Sequence, residues 1–247
     1  MNTKETLLQM QQLKFHGMAA SYSAQLDLPI HQQLEAHELI GHLTQAELLS
    51  RNNERTAYYL KLAKLRLTAL PEHIECSVSR NLTKQQLVTL LEGHYMKQGE
   101  NVLITGSTGK SYLACALGYQ ACIQGYRTTY LNMNRLIEKI TVAKLDGTYI
   151  KFLNYLERQT LIILDDFGLQ LLSQEVKLAL LQILEDRYAK RSVIITSQLP
   201  ASKWYEYINE PTLADAIMNR MTANVHQIEL KGESRRRNKN KSDNIIS

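Results

Sequence analysis

The residues Gly106-Ser107-Thr108-Gly109-Lys110-Ser111 place two glycines, hydroxyls and a lysine directly ahead of a helical pattern running from about Lys110 to Gln124. A glycine-rich turn that opens a helix presents backbone N–H groups to phosphate, and the helix dipole adds positive potential. In that chemistry Lys110 reaches the β- and γ-phosphates and the Ser111 hydroxyl ligates Mg²⁺. Further along, the apolar run Leu161-Ile162-Ile163-Leu164 delivers two carboxylates, Asp165 and Asp166. Asp165 is expected to hold Mg²⁺, directly or through water, and Asp166 to polarise an attacking water. A third apolar run, Ile194-Ile195-Thr196, ends in Ser197 and Gln198, candidates for contacting the γ-phosphate or ordering that water.

Alone, none of these is specific; an apolar strand ending in Asp-Asp is more often a turn. Their order, and their separation by whole strand–helix units, point together to a phosphate-loop NTPase. The loop itself departs from the pattern G-x-x-x-x-G-K-[ST]. Two residues, Ser107 and Thr108, separate its glycines where four are expected, and the position five before Gly109 is Ile104. Losing two residues keeps the in/out parity of the preceding strand, so the sheet is expected to fold unchanged. Each residue spans at most ~3.3–3.6 Å, however, so the shortened loop has too little reach to wrap a β-phosphate with amides. Much reduced or lost nucleotide affinity is the expectation.

These residues require a scaffold, and the chain from Asn101 supplies one. Short apolar strands are predicted at 102–104, 127–131, 160–164, 192–196 and 225–230, with helices at about 110–124, 134–144 and 174–189 and further helices up to about 221. Gly125 sits where a helix C-terminal glycine belongs. Alternating strands and helices imply a parallel sheet covered on both faces, with ligands at the carboxyl ends of its strands. Up to about residue 98 the pattern is helical, with a helix expected from about Arg51 to Leu70 and a capping box formed by Thr83 and Gln86. The expected organisation is therefore a helical region 1–95, an α/β domain 96–232 and a basic, disordered tail 233–247.

With 247 residues, 44% of them hydrophobic, the chain can bury a core, which excludes disorder throughout. No apolar run approaches the ~20 residues of a bilayer span. The N-terminus lacks the apolar stretch of a secretory signal. Cys76, Cys115 and Cys122 form no CxxC pair, and a reduced cytoplasmic setting is expected. Cys115 and Cys122, seven apart on one helix, read as core packing. His37 and His42 miss the HExxH spacing, lying roughly 140° apart round a helix. The formal charge of +5 is uneven: 51–66 and 231–247 each carry +4, while 1–50 carries −3. Clustered basicity fits nucleic acid. Arg51, Arg55, Tyr58 and Arg66 fall near one side of the expected helix, interleaving cations with aromatics such as Tyr59, and are the candidate DNA-binding residues.

The runs Arg80-Asn81-Leu82-Thr83-Lys84, Gly99 to Gly106, Leu164-Asp165-Asp166-Phe167-Gly168, Ile195-Thr196-Ser197-Gln198-Leu199-Pro200 with Lys203-Trp204-Tyr205, Pro211 to Ile217, and Glu229 to Ser234 resemble the IstB-type helper ATPases of bacterial insertion sequences. That family belongs to the AAA+ ATPases and is similar to bacterial helicase loaders. The resemblance implies an AAA+ phosphate-loop NTPase with an N-terminal helical region. It implies a protein that binds ATP, Mg²⁺ and double-stranded DNA, forms homo-oligomers on that DNA and assists a transposase. On the family pattern Gly106 to Ser111 form the phosphate loop, Asp165 and Asp166 the acidic pair, and Ser197-Gln198 the first sensor. Arg220 is then the arginine supplied to a neighbouring subunit's nucleotide, and Arg236 the second-sensor arginine. A helicase loader and a nucleotide-independent DNA or transposase adaptor are the alternatives.

Overall fold

The structure, a computed structural model, describes residues 2–232; Arg236 and the tail 233–247 lie outside the described residues. By contacts the chain divides between Tyr58 and Tyr59 into two compact units. The first contains α1 (Thr3–Gln12), α2 (His16–Leu26) and most of α3 (Ala36–Ala63). Asn2 and Glu5 form a capping box on α1. The start of α2 has no side-chain cap of its own. Glu47 of α3 fills that role, accepting from Gly17 N at 2.8 Å and Met18 N at 3.1 Å, so a carboxylate satisfies two of the orphan donors at a positive helix end. The helix expected from Arg51 to Leu70 is instead the second half of α3. It stops at Ala63 because Lys64 takes a left-handed φ of 51°.

In the second unit, α4 (Lys84–Glu92) begins at the capping box that Thr83 and Gln86 form, and α5 (His94–Gln98) leads into the sheet. The strands are β1 (Asn101–Gly106), β2 (Thr128–Asn132), β3 (Leu161–Phe167), β4 (Ser192–Ser197) and β5 (Val225–Leu230). All pair in parallel, in the order β2-β3-β4-β1-β5. Between the strands lie α6 (Lys110–Ile123), α7 (Met133–Leu145), α8 (Tyr149–Glu157), α9 (Gln174–Arg187), α10 (Trp204–Ile208) and α11 (Pro211–Thr222).

Strand alternation sorts the core into two layers. Leu103, Ile162, Leu164, Val193 and Ile195 face one cluster with α7, α9, α10 and α11, in which Phe167 and Trp204 meet edge to face at 4.9 Å. Val102, Ile104, Leu161, Ile163 and Ile194 face the other, with α6 and with Leu82, Leu87, Leu90, Tyr95 and Met96. Residues 59–98 thus share the core of the sheet unit. Cys115 and Cys122 are fully buried on α6, as their spacing predicts. Gly125, with φ of 83°, follows the end of that helix. Among the described residues no helix is long and apolar enough to cross a membrane.

Candidate active site

The carboxyl ends of β1, β3 and β4 converge because those strands are neighbours, although their sequences lie far apart. Gly106 ends β1 with φ of 120°, and a Cβ there would run into the Leu230 backbone of β5, so only glycine fits. Ser107, Thr108 and Gly109 then complete the turn, and α6 starts at Lys110. The Ser107 hydroxyl donates to Gly232 O at 3.2 Å. Lys110 is almost buried and its Nζ donates to Gly106 O at 2.7 Å, across the mouth of its own loop. Ser111 Oγ donates to Asp165 Oδ1 at 2.8 Å.

The acidic pair occupies an irregularity in the β3–β4 ladder. Leu164 pairs with Ile195 and Phe167 with Ser197, so Asp165 and Asp166 together face Thr196 alone. Asp166 takes a positive φ of 64°, rare for a non-glycine residue, and this turns its carboxylate out of the strand's alternation. Asp165 is fully buried and accepts from Ser111, from the Tyr130 hydroxyl and from the Thr196 hydroxyl. Asp166 accepts from Asn132 Nδ2 at 2.7 Å, and its own N–H donates to Thr196 Oγ1 at 3.1 Å. Burial, reinforced by Asp165, pushes the Tyr130 phenol above its ordinary pKa, so it donates as the neutral group.

Arg66 is the largest departure from expectation. It is not on the helix that carries Arg51, Arg55 and Tyr58. Its Nη1 stands 3.3 Å from Asp166 Oδ2 and 3.6 Å from Asp165 Oδ2. The Tyr130 hydroxyl, followed by the two carboxylates, holds the Arg66 guanidinium above its ordinary pKa. Asn132, Tyr130, Thr196 and Arg66 are the site residues that sequence reasoning did not place here. Asn132 ends β2, Tyr130 lies two residues before it and Thr196 one residue before the end of β4, positions whose meaning becomes usable only once the strand order is known.

A cleft of about 810 Å³ opens over this cluster, lined by the loop from Ser107 to Ser111, Asp166, Gln198, Arg66 and Arg80. That size lies within the range of small-molecule sites. Gln198 reaches it; Ser197 does not. The Ser197 hydroxyl is buried, donates to Phe167 O at 2.6 Å and accepts from Leu199 N at 3.0 Å, so it braces the turn after β4 instead of lining the cleft. Arg220 lies at the other end of the sheet. Its carbonyl accepts from Asn101 at the start of β1, while its side chain pairs with Glu185 and donates to Ala216 O. In the first unit, Arg51 is held by Glu47 at 2.7 Å and stands 5.6 Å over the Phe15 ring, whereas exposed Arg55 bonds its neighbour Asn52 at 3.1 Å; Tyr58 is exposed.

Known proteins resemble this chain in sequence and in fold. The chain is 40% identical over 235 residues to an insertion sequence ATP-binding protein, y4pL, of Sinorhizobium fredii, covering 94% of this chain and 96% of that one. It is 40% identical over 205 residues to the insertion sequence IS1162 ATP-binding protein of Pseudomonas fluorescens, covering 82% and 89%. Among solved structures it resembles the DnaC helicase loader, with a TM-score of 0.57 and 21% identity over 68% of this chain and 100% of that one. It also resembles the replication initiator DnaA bound to AMPPCP and single-stranded DNA, with a TM-score of 0.57 and 20% identity over 68% of this chain and 52% of that one, about half its length. At these identities the likeness establishes the fold alone, a parallel sheet flanked by helices. The family model described as IstB-like ATP binding protein matches residues 8–243, and the chain belongs to that family.

Proposed function

We propose that the chain is the DNA-binding helper of an insertion sequence, assembling on double-stranded DNA and assisting its transposase, with a cleft that takes ATP weakly. The observation that carries the nucleotide reading is the meeting of Lys110, Ser111, Asp165 and Asp166 at one end of the sheet, beneath a loop two residues short. The insertion-sequence names of relatives at 40% identity support the transposition role.

Ser111 and Asp165, already in contact, supply an oxygen pair of the kind that Mg²⁺ takes. When bound, the ion would neutralise charge on the phosphates. Asn132 and the backbone bond to Thr196 hold Asp166 toward the cleft, where it can orient a water together with Gln198 at the rim. Arg220, at the opposite end of its own sheet, suits a role at a neighbouring subunit's nucleotide. Titration with the fluorescent analogue mant-ATP, with and without duplex DNA, tests the reading. Weak binding that DNA strengthens is the expected result; tight Mg-ATP binding by the unaltered chain would overturn it. The short loop also favours a nucleotide-independent adaptor, which DNA binding indifferent to ATP would identify.

For DNA, the surroundings of Arg51 and Arg55 separate the two as probes. A glutamate at 51 would face Glu47 and disturb the start of α2, so Arg55→Glu is the cleaner test. It should weaken duplex binding and flatten the slope of log K against log salt by about 1–2. An unchanged slope would place the DNA contact elsewhere.

A further inference from the structure

Arg80 borders the phosphate loop without being part of any phosphate-loop pattern. It ends a short turn, Val78–Arg80, that begins where Ser77 caps the Arg80 N–H. An isolated bridge between Ser77 and Leu82, with Leu82 buried, closes this turn. Two contacts pin it to the end of β5: Lys231 N donates to Arg80 O at 3.1 Å, and Asn81 Nδ2 donates to Glu229 O at 2.9 Å. β5 in turn pairs with β1 up to Gly106 and Leu230. The backbone at 80 is therefore fixed relative to the loop.

The side chain then lies on the loop itself. Its Nη2 is 2.5 Å from the position that a Cβ on Gly109 would occupy, so any side chain at 109 would displace the guanidinium. Among the described residues no carboxylate lies within ion-pair distance of it. Gly109 is also the N-cap of α6 and offers no side-chain cap, and Lys110, Ser111 and Tyr112, the first residues of the helix, line the same cleft. A cation packed beside a positive helix end is unfavourable unless an anion lies between them.

We propose that Arg80 is a phosphate-binding residue of this cleft, whose guanidinium takes over from the amides that the shortened loop lacks. A planar fork of donors suits phosphate oxygens, and it reaches them from outside the loop, where loop length does not limit it. The proposal rests on the cleft being a weak ATP site, and the residual affinity of that site is carried by Arg80 together with Lys110.

Mant-ATP binding by four chains tests it: the natural sequence, Arg80→Gln, a chain with two glycines inserted between Thr108 and Gly109, and the combination. Arg80→Gln should cost about tenfold or more in the natural loop, as loss of a charged hydrogen bond does. In the lengthened loop, where amides are restored, the same change should cost less than about threefold. Arg80→Lys should recover only part of the loss, because a point charge lacks the fork. Unchanged thermal midpoints establish that the variants are folded. Equal losses in both loops, or no loss in either, would overturn the role of Arg80 alone. No detectable binding by the natural chain at millimolar nucleotide would overturn both this role and the weak-site reading.

Discussion

Two glycines inserted between Thr108 and Gly109 are expected to raise ATP affinity about tenfold or more, measured by mant-ATP fluorescence or calorimetry. In the natural chain only Ser107 and Thr108 separate the loop's glycines, and Lys110 spans the gap to donate to Gly106 O. Charged hydrogen bonds from backbone amides contribute about 1.5–3 kcal/mol each. Fixing each added residue costs about 1–2 kcal/mol of backbone entropy. At mid-range values two added amides therefore leave a surplus of about 1.5 kcal/mol, close to the ~1.4 kcal/mol that corresponds to tenfold. The insertion point leaves Gly106 in register with Leu230, so β1 and β5 are not disturbed. It also lets Lys110 exchange its carbonyl partner for phosphate. If affinity stayed the same, loop length would not be what limits the site.

Replacing Arg187 by methionine is expected to destabilise the sheet unit by about 3 kcal/mol or more, read as a fall in the urea midpoint. The side chain is almost fully buried, and its two terminal nitrogens donate to Leu156 O, Gln159 O, Thr160 O and Ser192 O at 2.8–3.1 Å. One guanidinium thereby fastens the end of α8 and the approach to β3 onto the start of β4. Removing it strands four carbonyls, three of them in buried bonds, each buried one costing about 1–3 kcal/mol if unpaired. The loss falls short of their sum because the charge is itself costly to bury. Burial, aided by repulsion from Arg191, lowers the Arg187 pKa to about 9. Lysine should rescue poorly, since it has three donors and no fork. A loss below about 1 kcal/mol would mean that water can replace the guanidinium at these carbonyls.

Much of this molecule is legible locally. The capping box of Thr83 and Gln86, Gly125 after α6, and the five strands follow from spacing and residue type, because caps, turns and alternation depend on neighbours within a few residues. The helix α8 has the same kind of signal in Tyr149, Phe152, Leu153 and Leu156, yet no helix was expected over 149–157. The expected helix at 51–70 failed because the pattern is helical on both sides of a stop that Lys64 makes through its backbone, and lysine carries no turn signal.

The sequence by itself determined the chemistry available here: a lysine and a serine after a short glycine loop, two carboxylates after a strand, and the loop's two-residue deficit. The tertiary structure alone decided which groups those residues meet. Arg66, read as a DNA contact, stands instead beside the acidic pair, a hundred residues away in sequence. Thr196 and Tyr130 join Ser111 in bonding Asp165, because the bulge opposite Thr196 and the order β2-β3-β4 bring those hydroxyls to it. Arg80 reaches Gly109 only because its turn is tied to the end of β5. The physical reason is range: periodicity, caps and spacing act along the chain, whereas the partners of a buried carboxylate are set by strand order and register, which pair residues that the chain itself keeps far apart.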